Sequence, residues 1–207
     1  MINCVTTEHR IGIFGRIVDA ITKKPVPGAL VEIQSKAAAF NRKIQLAALR
    51  FREQWAAMMQ RPDRTTTRPD GHFYFTDLAD GKYTLRVTHP SAGRRYGSAE
   101  QSVEVSNDGR KRLAVEIALP PTTVKGKIVA SGQKNGIAMA EVRVKGSGES
   151  TFSDVQGRYI LSGLEPSKKK RTIIVLALGY GVTSREVDIT EPGALETLDF
   201  RLVREGR

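Results

Sequence analysis

The sequence has few of the residues that catalytic sites usually require. Cys4 is the only cysteine in 207 residues, so no internal disulfide can form. The three histidines, His9, His72 and His89, have no second histidine or glutamate at helical spacing, as a zinc peptidase would need. A G-x-S-x-G elbow and a Walker loop are also missing. The sequence therefore predicts no enzyme activity, no metal site and no cofactor.

Long hydrophobic runs are missing as well. The longest apolar stretch, Ile173–Val182, is about half of what a membrane-spanning helix needs. The first fifteen residues lack the basic and apolar regions of a secretion signal. We therefore expect no membrane span and a chain that is cytoplasmic at synthesis.

Acidic residues are scarce relative to basic ones, and the imbalance is local. The chain has 33 Lys and Arg against 22 Asp and Glu, a net charge of +11. The segment Ser35–Arg68 holds eight basic residues against only Glu53 and Asp63, which places six of those net charges in 34 residues. Whatever the positive charge serves, this segment carries it.

The chain repeats itself at two different offsets. GRIVDA at Gly15–Ala20 returns as GKIVAS at Gly126–Ser131, an offset of 111 residues. DGHFYFTDL at Asp70–Leu78 returns as QGRYILSGL at Gln156–Leu164, an offset of 86 residues. The difference predicts an insertion of 25 residues within the first copy.

The repeat predicts two domains, residues 1–120 and 121–207, with the insertion at about 35–62 in the first. Outside the insertion, short alternating runs rich in β-branched and aromatic residues predict strands, and glycine-containing turns separate them at regular intervals. About seven strands per copy without crossover helices predict a mainly β fold of two antiparallel sandwiches.

These motifs resemble a known family. The pattern G-x-I/V-x-D, then D-G-x-F-x-F-x-x-L, then G-x-Y-x-L-x-V runs from Gly15 to His89 around the insertion, and Gly126–Tyr180 keeps part of it. The pattern is similar to the carboxypeptidase regulatory-like domain. The resemblance implies tandem seven-stranded, transthyretin-like (prealbumin-like) sandwiches. It also implies accessory modules, generally not catalytic, that accompany peptidases, receptors, surface proteins and particle components.

The insertion itself predicts a helix. Good helix formers fill Lys36–Arg61 without glycine or proline, Ser35 suits an N-cap, and Pro62 is a stop signal. One amphipathic helix of this length would span roughly 39 Å, more than the domain that carries it.

The helix offers an apolar stripe and a set of basic residues. Aromatic residues, Met and Arg are enriched at protein interfaces, so the stripe predicts contact with another protein or a second copy of this chain. The alternative is that the stripe packs within the same chain, either on its own sandwich or on the second sandwich. The predicted interface residues are Phe40, Ile44, Phe51, Trp55 and Met59. The candidate polyanion contacts are Arg42, Lys43, Arg50 and Arg52, which flank the stripe instead of lining one face and so argue against nucleic acid.

Two functions remain open on the sequence. The first is a non-catalytic structural or adaptor protein in a larger assembly, for which an accessory subunit of a phage-tail-like contractile particle is the architectural resemblance. The second is a binding module for a polyanion or carbohydrate, acting through the basic helix or the sandwich loops. Salt separates them, because polyanion binding weakens steeply with ionic strength whereas apolar contact persists.

Overall fold

The chain is described by a computed structural model that covers residues 9–58, 61–106 and 113–205. It divides into two compact units. The first comprises the described residues up to Ser91 together with 98–119, and the second comprises 92–97 and the residues from Pro120 onward. Met59, a predicted interface residue, lies outside the described residues.

The first unit is a sandwich of a three-stranded and a four-stranded sheet, in the orders β4-β1-β7 and β3-β2-β5-β6. Its elements are β1 (Ile11–Asp19), β2 (Leu30–Ser35), α1 (Ala38–Phe51), α2 (Gln54–Ala57), β3 (Arg64–Thr66), β4 (His72–Thr76), β5 (Gly81–Thr88), β6 (Ala99–Val105) and β7 (Leu113–Leu119). The pairs are antiparallel except β1 with β7, which is parallel. This pair departs from the expected all-antiparallel sandwich, because the chain crosses to the other sheet and returns beside its first strand.

The second unit repeats this arrangement. Its strands are β8 (Thr123–Ala130), β9 (Glu141–Val144), β10 (Ser150–Phe152), β11 (Arg158–Ser162), β12 (Arg171–Ala177), β13 (Tyr180–Val187), β14 (Leu195–Thr197) and β15 (Phe200–Leu202). One sheet has the order β10-β9-β12-β13, and the other places β11 on one side of β8. On the other side of β8, β14 and β15 pair in succession and in parallel. They act as one strand interrupted at Asp199, whose carboxylate accepts a hydrogen bond from the Lys127 N–H at 2.7 Å.

Alternating residues build the two cores, as the sequence pattern predicts. In β5, Tyr83, Leu85 and Val87 are buried while Lys82 and Arg86 face solvent. A strand directs successive side chains to opposite faces, so one face of β5 lies on the core. The second unit buries a core of the same kind, which includes Val124, Ile128, Val142, Tyr159, Leu161, Ile173, Val175 and Phe200.

The sequence offsets reappear as equivalent contacts. Gly15 pairs with Phe73 in the first unit, and Gly126 pairs with Tyr159 in the second, at offsets of 111 and 86 residues. At Gly15 an added Cβ would run into the Phe73 ring, and at Gly126 it would collide with the Leu198 carbonyl oxygen and lie 3.0 Å from the Tyr159 ring. Glycine suits this position in each copy because the paired aromatic ring and a carbonyl oxygen on its other side both approach the backbone closely.

A buried hydroxyl is repeated in the same way. Thr67 Oγ1 donates to the Val26 carbonyl at 2.7 Å and accepts from the Ala29 N–H at 2.9 Å. Ser153 Oγ makes the equivalent bonds, donating to the Ile137 carbonyl at 2.7 Å and accepting from the Ala140 N–H at 2.9 Å. Each hydroxyl satisfies two buried backbone groups where the chain enters a strand, β2 in the first unit and β9 in the second.

Thr67→Val should therefore destabilise the first unit although it preserves the shape of the side chain. The substitution leaves a buried carbonyl and a buried N–H without partners, at a cost of about 1–3 kcal/mol each when desolvated. Thr84→Val, at a half-buried threonine of β5, is the control and should change stability by less than about 0.5 kcal/mol. Urea unfolding followed by Trp55 fluorescence measures both; equal midpoints for the two variants would contradict the role given to Thr67.

The long inserted helix is the main correction to the sequence prediction. Instead of one helix from Lys36 to Arg61, the insertion forms α1 of 14 residues and α2 of four. The helix breaks at Arg52, whose φ of 45° lies in the left-handed region. Ser35, the predicted N-cap, is the last residue of β2, and Ala37 occupies the cap position without a side-chain hydrogen bond.

Chain closure explains the break. β2 and β3, which flank the insertion, are antiparallel neighbours, and Lys36 lies 2.6 Å from Asp63 at the two ends of the insertion. An unbroken helix of that length would separate its ends by roughly 39 Å. The insertion must therefore turn back, and the break between α1 and α2 is where it does so. No helix in the described part of the chain is long and apolar enough to cross a membrane.

Candidate interaction surface on the helical insertion

The inner side of α1 packs on the first unit. Phe40 is 1% exposed and Ile44 is 6% exposed. The Phe40 ring meets the edge of the Tyr83 ring at a centroid distance of 5.9 Å. Both were predicted to contact another chain, and the structure instead places them in the core of their own sandwich, where they fasten α1 to the sheet.

A buried ion-pair cluster closes the base of the insertion. Asp63, 4% exposed, accepts a hydrogen bond from Lys36 Nζ at 2.6 Å. Its other oxygen lies 3.1 Å from Arg61 Nε, a contact that is electrostatic because these two atoms lack hydrogen-bond geometry. One carboxylate thus contacts Lys36, which lies between β2 and α1, and Arg61, which lies between α2 and β3.

Arg64 adds a second tie at the same place. Its guanidinium makes a bond of 2.8 Å and a contact of 2.6 Å with one oxygen of Glu32 on the neighbouring strand. It also donates to the carbonyls of Ala56 and Met58 at the end of α2. The insertion is therefore fixed at its base by side chains of the β2–β3 pair and not only by its two chain connections.

Two of the predicted interface residues gather at the helix break. Trp55 is half-buried, and the Arg61 guanidinium lies 4.8 Å from its ring centroid, in cation–π geometry. Phe51 is exposed and stacks on Trp55 with a centroid distance of 6.2 Å. These two rings form an apolar cluster at the break between α1 and α2. Their contact with another chain stays a prediction.

The outer face of α1 carries two leucines that the sequence analysis did not select. Leu46 is 68% exposed and Leu49 is 73% exposed. At 3.6 residues per turn, Leu49 lies about half a turn around the helix from Phe40. A helical projection centred on Phe40 and Ile44 would have found them, because it separates the leucines from the stripe that the sandwich covers.

Basic residues surround the leucines. The four candidate polyanion contacts, Arg42, Lys43, Arg50 and Arg52, are all exposed. Glu53 is the only exposed acidic residue among the described residues of the insertion, since Asp63 is buried in the ion-pair cluster. We use the name outer helix face for Leu46, Leu49, Arg42 and Arg50, a surface that is apolar and cationic at once.

Two of the histidines form local pairs with aspartates. His9 pairs with Asp77 at 2.6 Å, and His72 pairs with Asp70 at 3.1 Å while stacking on the ring of Phe14. Hydrogen bonds from His72 lower the pKa of the Asp70 carboxyl, which is a local effect of the turn. Within the described part of the chain, no group of three His, Cys, Asp or Glu side chains is arranged to hold a metal ion.

One known family matches most of the chain. The model of the carboxypeptidase regulatory-like domain matches residues 12–120 and, a second time, residues 123–203. The two matches correspond to the two copies of the repeat. No curated protein matches the chain significantly.

Several solved structures are similar in architecture at low sequence identity. The shaft pilin SpaA from Lactobacillus rhamnosus GG is 14% identical, with 98% of this chain and 99% of that chain covered, at a TM-score of 0.43. A streptococcal ancillary pilin is 16% identical, with 98% and 64% covered, at a TM-score of 0.38. The Bacillus anthracis TIE protein is 15% identical, with 94% and 34% covered, at a TM-score of 0.37. This chain thus spans about a third of the length of the last of these.

Proposed function

Because the chain belongs to the carboxypeptidase regulatory-like domain family, we propose that it is a non-catalytic structural or adaptor protein that makes protein–protein contacts in a larger assembly. Both copies supply the sandwich, and only the first carries the helical insertion. The contact is therefore assigned to the insertion, which the sandwich fold of the second unit does without.

The outer helix face is the observation that carries this proposal. Leu46 and Leu49 are exposed side by side on a helix whose other side is already packed. Apolar residues that are adjacent, exposed and rimmed by polar residues mark interaction sites. The ion-pair cluster around Asp63 holds this face in place before any partner arrives, which lowers the entropic cost of association.

The charges of the outer helix face indicate an acidic partner surface. Arg42 and Arg50 flank the leucines, and arginine is enriched in interface cores, where it can pair with carboxylates in two-pronged geometry. A partner surface with an apolar pocket rimmed by Asp or Glu would match both features. The finer form of the proposal is an accessory subunit of a phage-tail-like contractile particle, assembled in the cytoplasm.

A double substitution tests the contact. Leu46→Ser with Leu49→Ser should abolish association with the partner, because hot-spot side chains typically cost 2 kcal/mol or more when removed. The matched control is Leu178→Ser with Val203→Ser, which changes two exposed apolar residues of the second unit. Sedimentation velocity detects self-association, and cross-linking through Lys43 followed by mass spectrometry locates a partner on the insertion. Retained association in the double variant would contradict the proposal.

The polyanion alternative is favoured by one observation only, the exposure of Arg42, Lys43, Arg50 and Arg52 together. Heparin serves as the probe. If the residues bind a polyanion, the affinity should fall steeply between 50 and about 200 mM salt. Contact through Leu46 and Leu49 should instead persist or strengthen in sulfate, which favours apolar burial.

A further inference from the structure

A groove on one side of the first sandwich is separate from the outer helix face. It lies between β3, the edge strand of the four-stranded sheet, and β4, the edge strand of the three-stranded sheet. Its volume is about 420 Å³, and its walls are residues 61–62, 64–68 and 72–76. Exposed edges of sheets carry backbone groups that can pair with another strand.

The register of β4 directs part of its backbone into the groove. Gly71 accepts a hydrogen bond from the Ile17 N–H at 2.9 Å, and Phe73 and Phe75 pair with β1 in the same phase. Hydrogen-bonded positions recur at every second residue of an antiparallel pair. Tyr74 and Thr76 therefore point their N–H and C=O groups away from β1, toward the groove.

The register of β3 does the same from the opposite wall. The Asp63 carbonyl accepts from the Ile33 N–H at 2.9 Å, and the Thr67 N–H donates to the Ala29 carbonyl at 2.9 Å. These odd-numbered positions face β2, so Thr66 directs its backbone groups into the groove. In the described part of the chain no backbone hydrogen bond crosses the groove to Thr66.

The side chains of the groove add an apolar floor and a cationic rim. Phe73 and Phe75, both buried, lie at the floor. Of the rim arginines, Arg61 and Arg64 are already paired with carboxylates. Arg68 is exposed and packs over the Tyr74 ring at 5.1 Å, and none of the described residues that line the groove is acidic.

We propose that this groove binds an extended segment of another polypeptide as an added strand along β4, with small apolar and acidic residues alternating in that segment. Two observations select a peptide. The groove-facing groups of Tyr74 and Thr76 recur at every second residue, which matches the spacing of an extended backbone. The groove also combines an apolar floor, formed by Phe73 and Phe75, with the exposed positive charge of Arg68 at its rim, and a segment that carries both apolar and acidic side chains matches these two features.

The second unit supplies an internal comparison. At the offset of 86 residues, Ile160 is equivalent to Tyr74 and Phe152 to Thr66. Ile160 lies in β11 in the same phase as Tyr74 in β4, since its neighbour Tyr159 pairs with Gly126. Asp154 and Asp199 line the cavity there together with basic residues, whereas none of the described residues that line the groove of the first unit is acidic. The proposed ligand should therefore prefer the first unit.

Peptide binding by the full chain tests the proposal. The probes are a six-residue peptide of alternating Asp and Val, its counterpart of alternating Lys and Val, and versions of the first N-methylated at every second residue in either phase. We expect the Asp peptide to shift the amide NMR signals of Thr66, Tyr74 and Thr76 and the Lys peptide to bind at least tenfold more weakly. N-methylation should prevent binding in one phase and leave it intact in the other.

Variants of the protein complete the test. Tyr74→Pro removes a groove-facing N–H and leaves the bonds to β1, so it should weaken the Asp peptide at least tenfold; Ile160→Pro, its equivalent, should have no effect. If Tyr74→Pro fails to fold, the N-methylated peptides decide. Three results would overturn the proposal. The first is no binding of the Asp peptide at millimolar concentration, and the second is equal affinity for the Asp and Lys peptides. The third is that heparin or an oligosaccharide, and neither peptide, shifts the amide signals of Thr66, Tyr74 and Thr76. Leu46→Ser with Leu49→Ser leaves the groove intact, so failure here and failure of the proposed function are distinguishable.

Discussion

Asp63→Asn should lower the free energy of unfolding of the first unit by about 3–5 kcal/mol, the cost of breaking a buried ion pair by removing one partner. Asp63 is buried between Lys36 and Arg61, which are themselves only 16% and 11% exposed at their side chains. The substitution keeps the size of the side chain and removes the charge that both cations face. Two positive groups are then left close together without a counterion.

The loss should appear first in the insertion. Arg61 lies over the ring of Trp55, the only tryptophan of the chain, so release of Arg61 changes the surroundings of the fluorophore. We expect Asp63→Asn to shift Trp55 emission to longer wavelength at urea concentrations that leave the wild-type sandwich folded. Amide hydrogen exchange of α1 should rise at the same time, because its tie to the sheet is weakened.

Glu53→Gln is the matched control for Asp63→Asn. It removes one negative charge from the same insertion, but at an exposed position between α1 and α2. Surface charges contribute little to stability, so a change within about 0.5 kcal/mol is expected. If the two variants unfold at the same urea concentration, the ion-pair cluster around Asp63 does not fix the insertion. The outer helix face would then not be preorganised by that cluster.

The insertion shows where sequence reasoning reached its limit. Composition predicted one helix over Lys36–Arg61, and the structure has two short helices there, between β2 and β3 of the first unit. Local propensity carries no information about closure, however. The two strands that flank the insertion are neighbours in one sheet, and this non-local constraint forces the break at Arg52.

For a related reason, the candidate contact residues could be predicted only in part from the sequence. Periodicity identifies the apolar side of a helix, but it does not say what that side packs against. The Phe40–Ile44 side covers its own sheet, so the exposed leucines at 46 and 49 become the available surface. The groove beside Tyr74 was not predictable, because it depends on which strands end each sheet.

The repeat, by contrast, could be identified in detail from the sequence, because it consists of the order of residues along the chain and does not depend on tertiary packing. The motif DG-x-F at Asp70–Phe73 and QG-x-Y at Gln156–Tyr159 each contain a glycine followed two residues later by a buried aromatic residue. In the structure both glycines have φ near +77°, with values of 78° for Gly71 and 76° for Gly157. The same tight entry into a strand is thus built twice.

Gly157→Ala should unfold or severely destabilise the second unit. Its positive φ alone costs an L-residue about 1–2 kcal/mol. The added Cβ would also collide with the Ile128 carbonyl oxygen and lie 2.7 Å from Gly136 Cα, both of which are backbone atoms that cannot rotate away. Moving them would disturb hydrogen bonds of β8, since the Ile128 N–H donates to the Gly157 carbonyl and the Ile128 carbonyl accepts from Ile137.

Gly163→Ala separates the two causes. Gly163 has a φ of 75°, nearly the same as Gly157, but nothing lies within 4 Å of an added Cβ. Gly163→Ala should lower the free energy of unfolding only by the cost of the positive φ, about 1–2 kcal/mol. Gly157→Ala should lower it by at least about 2 kcal/mol more, which is typical of overpacking a rigid site. Hydrogen exchange in the peptide that contains Ile173 and Val175 reports on the second unit without interference from Trp55 in the first. Equal protection in the two variants would mean that the β8 backbone yields to the methyl group, and that the shared glycine is kept in both copies for its dihedral angle alone.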